Sequence, residues 1–97
     1  MMISVLTPDR ELFYGEIVSV KVPGVDGQFQ ILKNHAPIVS ALEEGKVTMV
    51  TDIGDYRFYE EETGKTVTKD VPGSAISFHI NGGFIEVLNN NISILVQ

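Results

Sequence analysis

Apolar residues in this chain recur at every second position, and a turn signal interrupts them at roughly 8–12-residue intervals. That pattern constrains the fold more than any other feature. Ile3 to Thr7 opens a strand, and Pro8-Asp9 ends it. Leu12-Phe13-Tyr14 is a second apolar patch, closed by Gly15. From Ile17 to Val22 the alternation predicts Val18, Val20 and Val22 on one face, with Ile17, Ser19 and Lys21 on the other. Pro23-Gly24-Val25-Asp26-Gly27 is a turn cluster, whose glycines tolerate positive φ. Further strands are predicted over Gln28 to Leu32, Ile38 to Leu42, Lys46 to Thr51, Ala75 to Ile80, Phe84 to Leu88 and Ile92 to Val96. Tyr56 to Glu61 and Lys65 to Val71 read as the arms of a hairpin around Glu62-Thr63-Gly64. No window longer than about 12 residues carries helical spacing without a turn signal. The expected fold is all-β. It is a β-sandwich of two packed, mainly antiparallel sheets with about ten short strands and no helix beyond about two turns.

Composition narrows the function. The chain has 97 residues, 43% of them hydrophobic, which suits one domain over residues 1–97 with its own core. It has no cysteine, so disulfides, thiol catalysis and cysteine-based zinc sites are excluded. The formal charge is −6, which argues against nucleic acid or an anionic lipid surface as the main partner. No stretch approaches the ~18 apolar residues of a membrane span. The N-terminus lacks the basic region and apolar core of a signal peptide, so a soluble, cytoplasmic chain is expected. Half of the net charge falls in Asp52–Asp70, which holds 6 acids and 3 bases.

Candidate chemistry is sparse. His35 and His79 stand far apart in sequence, and neither has the neighbours of a metal-ligand motif, so no metal or other cofactor is expected. His79 reads as a solvent-edge or satisfied histidine. His35, in a loop, reads as a hydrogen bonder that stabilises the loop or as a contact residue. No serine occupies a nucleophile elbow. Gly24-Val25-Asp26-Gly27 lacks the ending of a phosphate-binding loop. Glu60-Glu61-Glu62 is a solvated or edge-protecting run. These residues alone describe a binding or structural module rather than an enzyme.

Several segments together resemble one family. Thr7-Pro8-Asp9-Arg10-Glu11-Leu12-Phe13-Tyr14-Gly15-Glu16 resembles the opening of the epsilon subunit of F-type ATP synthases, called delta in mitochondria. Val18 to Leu32 is similar to the next two strands and their turn. Lys33-Asn34-His35-Ala36-Pro37-Ile38-Val39 resembles the family's most distinctive segment. Leu42-Glu43-Glu44-Gly45-Lys46-Val47 and Ile80-Asn81-Gly82-Gly83-Phe84-Ile85-Glu86-Val87 follow in the family's order. The resemblance covers about residues 3–51 and 76–97, nearly three quarters of the chain.

The resemblance implies a non-catalytic rotor subunit. It would link the gamma subunit to the c ring and transmit rotation, with ATP chemistry left to the alpha and beta subunits. It would sit peripherally on the cytoplasmic face of a bacterial inner membrane, without inserting into it. Thr7, Leu12, His35, Ala36, Pro37 and Leu42 would lie at the gamma contact. Val25, Asp26, Gly27, Gln28 and Phe29 would touch the c ring. The alternative is a free-standing β-sandwich that binds a ligand or a partner, with a small carboxylate hydrolase ranked below it. Four departures stand out. Residues 52–75 are longer than the usual connection and read as an inserted, projecting hairpin. Lys33 stands where proline is usual. Gln28 and Gln30 replace the frequent glutamate and glycine, which bears on the ring contact. The sequence ends at Gln97, where many relatives continue into a helical hairpin that can block ATP hydrolysis and in some cases binds ATP. Coupling without such a switch, and no ATP binding, is the corresponding expectation.

Overall fold

The computed structural model describes all residues from Met1 to Gln97, and every regular element in it is a strand. In chain order these are β1 (Met2–Leu6), β2 (Glu11–Gly24), β3 (Gly27–Leu32), β4 (Ile38–Leu42), β5 (Gly45–Thr51), β6 (Tyr56–Glu60), β7 (Lys65–Lys69), β8 (Ala75–Ile80), β9 (Gly83–Leu88) and β10 (Asn91–Val96). The all-β expectation holds. Pairing is antiparallel except between β1 and β10.

The two apolar patches before residue 23 are not separate strands. They are halves of β2, and β2 builds both layers. Its first half pairs with β1 and β6. Its second half pairs with β3 and β5. One layer therefore runs β4–β9–β10–β1–β2–β6–β7, and the other runs β3–β2–β5–β8. Fourteen extended residues would span about 46 Å at ~3.3 Å each, but the longest dimension of the molecule is 34 Å. The strand must bend, and it does so where its register with β5 shifts between Ile17 and Ser19.

That bulge corrects one expectation. Inward positions are Phe13, Gly15 and Ile17 before it, and Val20, Val22 and Gly24 after it. Val18 is pushed outward and Ile17 is buried, the reverse of the simple alternation. One extra residue in a strand flips the face of everything beyond it.

Seventeen buried apolar residues form one cluster, and both layers supply them, so the core lies between the sheets. Ile3, Ile85, Ile92 and Ile94 come from one side, and Val47, Met49 and Ile80 from the other. Each such burial is worth about 1.5–3 kcal/mol before conformational entropy is charged against it.

The β6–β7 hairpin is rooted in this core. Tyr56 is buried and stacks on Phe13, with ring centroids 5.5 Å apart. A Cβ at Gly15 would lie 2.5 Å from the Tyr56 Cβ, so only glycine lets Tyr56 pass. Farther out, Arg57 donates two hydrogen bonds to Glu11, at 3.0 and 3.1 Å, and lies over the Tyr14 ring. The hydrogen bond to Glu11 holds the Arg57 pKa above its ordinary value, against an opposing desolvation. The hairpin read over residues 52–75 therefore does not wholly project, because Tyr56 is part of the core.

Candidate functional site

Both histidines lie in ordinary hydrogen-bonded settings, and they are not brought together. The His35 ring Nδ1 lies 2.7 Å from the carbonyl oxygen of Ala36. His79 Nε2, on β8, lies 3.2 Å from a Glu44 carboxylate oxygen, with both side chains exposed.

One end of the molecule is made of short turns. Gly24 pairs with Leu42, and the Glu43 N–H donates to the Pro23 carbonyl at 2.8 Å. The β2–β3 turn at Val25-Asp26 therefore stands beside the β4–β5 turn at Glu43-Glu44. Gly82 lies against Leu42, in the turn between β8 and β9. Val25, Asp26, Gly27 and Gln28 are all exposed at this end. Phe29, at the start of β3, is half-buried. It packs against the core, and a Cβ on Gly24 would lie 2.7 Å from its ring.

The six residues assigned to the gamma contact do not form one patch. Leu42 is only 5% exposed and belongs to the core, so its side chain is not offered to a partner. It points inward because it occupies the buried phase of β4. Thr7 builds the turn between β1 and β2. Its Oγ1 accepts from the N–H groups of Asp9 and Arg10, at 3.2 and 3.0 Å. Leu12 is half-buried, under the side of the molecule where β6 faces β8. His35, Ala36 and Pro37 lie at the opposite end of β4 from Leu42. A pair of hydrogen bonds between Asn34 and Asn90 ties their loop to the β9–β10 turn.

Between Thr7 and the His35–Pro37 loop lies a surface that the sequence assignments missed. Leu6 pairs with Leu95, Leu95 with Phe84, and Phe84 with Ala41. These four residues make one row across β1, β10, β9 and β4 on the outer face of the first layer. Val39 stands two positions before Ala41, and it is 74% exposed. Phe84 and Leu95 are each 55% exposed. The signal was present in the sequence. Phe84-Ile85 and Ile94-Leu95-Val96 are apolar at consecutive positions, as in strands with both faces covered.

A double-layered β-sandwich with an exposed apolar sheet face and a turn-lined end is a scaffold for contact with other proteins. Comparison with known proteins gives its kin. The family described as ATP synthase, Delta/Epsilon chain, beta-sandwich domain matches residues 1–60. The chain is 37% identical to the ATP synthase epsilon chain of Chlorobium limicola, over 98% of this chain and 86% of that protein. It is 36% identical to the epsilon chain of Caulobacter vibrioides, over 97% and 86%. The chain belongs to the ATP synthase delta/epsilon family. Two solved structures share the fold. A chain of the Tetrahymena thermophila mitochondrial ATP synthase central stalk and c ring superimposes with a TM-score of 0.66 at 23% identity. A chain of the Euglena gracilis mitochondrial ATP synthase does so with 0.68 at 18%. This chain spans 63% and 49% of the lengths of those two chains.

Proposed function

We propose that this chain is a rotor subunit of an ATP synthase central stalk. It links the gamma subunit to the c ring and transmits rotation, and it does no chemistry itself. The observation that carries the reading is the apolar outer face of Leu6, Val39, Phe84 and Leu95, in a chain of this family. Soluble monomers rarely leave such a row uncovered. Thr7 and His35–Pro37, assigned to gamma from the sequence, flank this face at its two ends, so the gamma contact is centred between them. The turn Val25–Gln28, beside Glu43-Glu44, is the ring contact. The chain then works peripherally, on the cytoplasmic face of a bacterial membrane.

The physical demand on such a part is stiffness. Torque must pass from one contact to the other without deformation. Forty-five of the fifty-five backbone hydrogen bonds lie within strands, in a ladder continuous across all ten. The close-packed core between the layers resists shear. The test is co-purification of the 97-residue chain with gamma, followed by reconstitution of ATP-driven ion pumping. Association with gamma lost on Val39→Asp/Phe84→Asp, with the fold intact, supports the reading. Unaltered association refutes this face.

A further inference from the structure

We propose that the free edge of β8 is a second docking site, which takes an extended, basic segment of a partner polypeptide as an added strand. It rests on observations separate from the apolar outer face and stands or falls independently of the gamma contact.

Three features converge there. First, β8 pairs only with β5, so one side of Ala75–Ile80 presents unpaired backbone N–H and C=O groups. Such edges are normally protected by lysine, proline or a bulge. The other hairpin edge, β7, carries Lys65 and Lys69 at its two ends. β8 reads Ala-Ile-Ser-Phe-His-Ile and contains neither lysine nor proline. Second, a groove of about 380 Å³ opens between β8 and β6. Leu12, Phe58, Ile76 and Phe78 line it, and all four are only half-buried. A strand added to β8 would place alternate side chains into this groove and the others toward solvent. Third, the far end of the groove is acidic. Glu61 lines it, with Glu60 and Glu62 beside it at the hairpin tip. Of the nearby cations, Arg10 is occupied over the Tyr59 ring, His79 is paired with Glu44, and Lys69 lies over the Phe58 ring at the root of the β6–β7 hairpin, away from the glutamates at its tip. Backbone pairing, apolar side chains at every second position and a basic end are what the site complements.

The test uses the whole chain and two synthetic peptides of alternating valine and threonine, one ending in lysines and one in glutamates. Amide exchange of Ala75, Ser77 and His79 is read by NMR, because the Ser74 carbonyl accepts from the Thr51 N–H and alternation along β8 turns these three amides to the free edge. The lysine peptide should slow exchange at least tenfold, and the glutamate peptide should leave it unchanged. Glu61→Lys/Glu62→Lys, at an exposed tip, should abolish the protection by the lysine peptide. Ile76→Lys should abolish it as well, with a thermal melt to check the fold. No protection overturns the proposal. So does equal protection by both peptides, since charge would then not select the partner. Protection that rises with protein concentration and no peptide overturns it in favour of a second copy of the chain.

Discussion

Val39 and Phe84 provide the sharpest test, because Leu42 on the same β4–β9 ladder is an internal control. An aromatic side chain carries roughly 150–250 Å² of surface. With 55% of Phe84 exposed, about 100 Å² is left for gamma to cover, on the order of 2.5 kcal/mol at ~25 cal/mol per Å². Full burial of a valine is worth about 1.5–3 kcal/mol. Val39 is 74% exposed, so it adds about 1–2 kcal/mol on the same scale. Ordering the two side chains returns about 0.5–1.5 kcal/mol each. The net is about 2 kcal/mol, on the order of thirtyfold in Kd, and an introduced carboxylate without a partner adds a desolvation cost of about 1 kcal/mol or more. Val39→Asp/Phe84→Asp should therefore weaken gamma binding about a hundredfold or more. Its urea midpoint should stay near that of the parent, since exposed substitutions cost about 0.5 kcal/mol or less. Leu42→Asp should do the opposite. A buried leucine lost to alanine already costs about 2–5 kcal/mol, and a buried charge costs more. A chain of this size has only about 5–15 kcal/mol in total. That variant should be largely unfolded in water by circular dichroism. Calorimetry with gamma and urea melts of all three proteins separate the cases. Parent-like gamma affinity in the double variant would refute the reasoning, as would a well-folded Leu42→Asp.

Other outcomes follow from the same geometry. Tyr56→Ala should cost about 3–5 kcal/mol, whereas replacing Glu60–Lys65 by a tighter turn should leave the urea midpoint nearly unchanged. Thr51→Val removes the hydroxyl that donates to the Val71 carbonyl at 2.6 Å and accepts from the Ser74 N–H at 2.9 Å. It should cost about 1–3 kcal/mol and speed amide exchange at Ser74. Gly83→Ala would put a Cβ 2.1 Å from the Leu95 carbonyl oxygen, at a φ of 157°. It should prevent β9 from pairing normally with β10, and expression of soluble protein is the readout. Asp26→Ala/Gln28→Ala should leave folding and gamma binding intact but lower ATP-driven ion pumping per ATP hydrolysed, measured in reconstituted vesicles.

The sequence by itself determined the strands and their punctuation. Period-two alternation cannot be satisfied by a helix, and the turns fall at residues that accept positive φ, including Asn34, Gly64 and Gly82. It also carried the family resemblance, because the motifs are local runs. What it could not decide were properties that depend on which strands become neighbours. Alternation says that Val18 and Ile17 face opposite ways, but the choice of inner face belongs to the bulge, which answers to β5 thirty residues later. Leu42 looks like a contact residue in a local motif and becomes core only when β2, β4 and β9 meet. Tyr56 likewise turns from hairpin residue to core residue where it crosses Gly15. The apolar row of Leu6, Ala41, Phe84 and Leu95 comes from four strands spread along the chain. Each residue reads singly as an ordinary strand position. Only the register of the folded sheet sets them side by side, because strands lie ~4.8 Å apart whatever their distance in sequence.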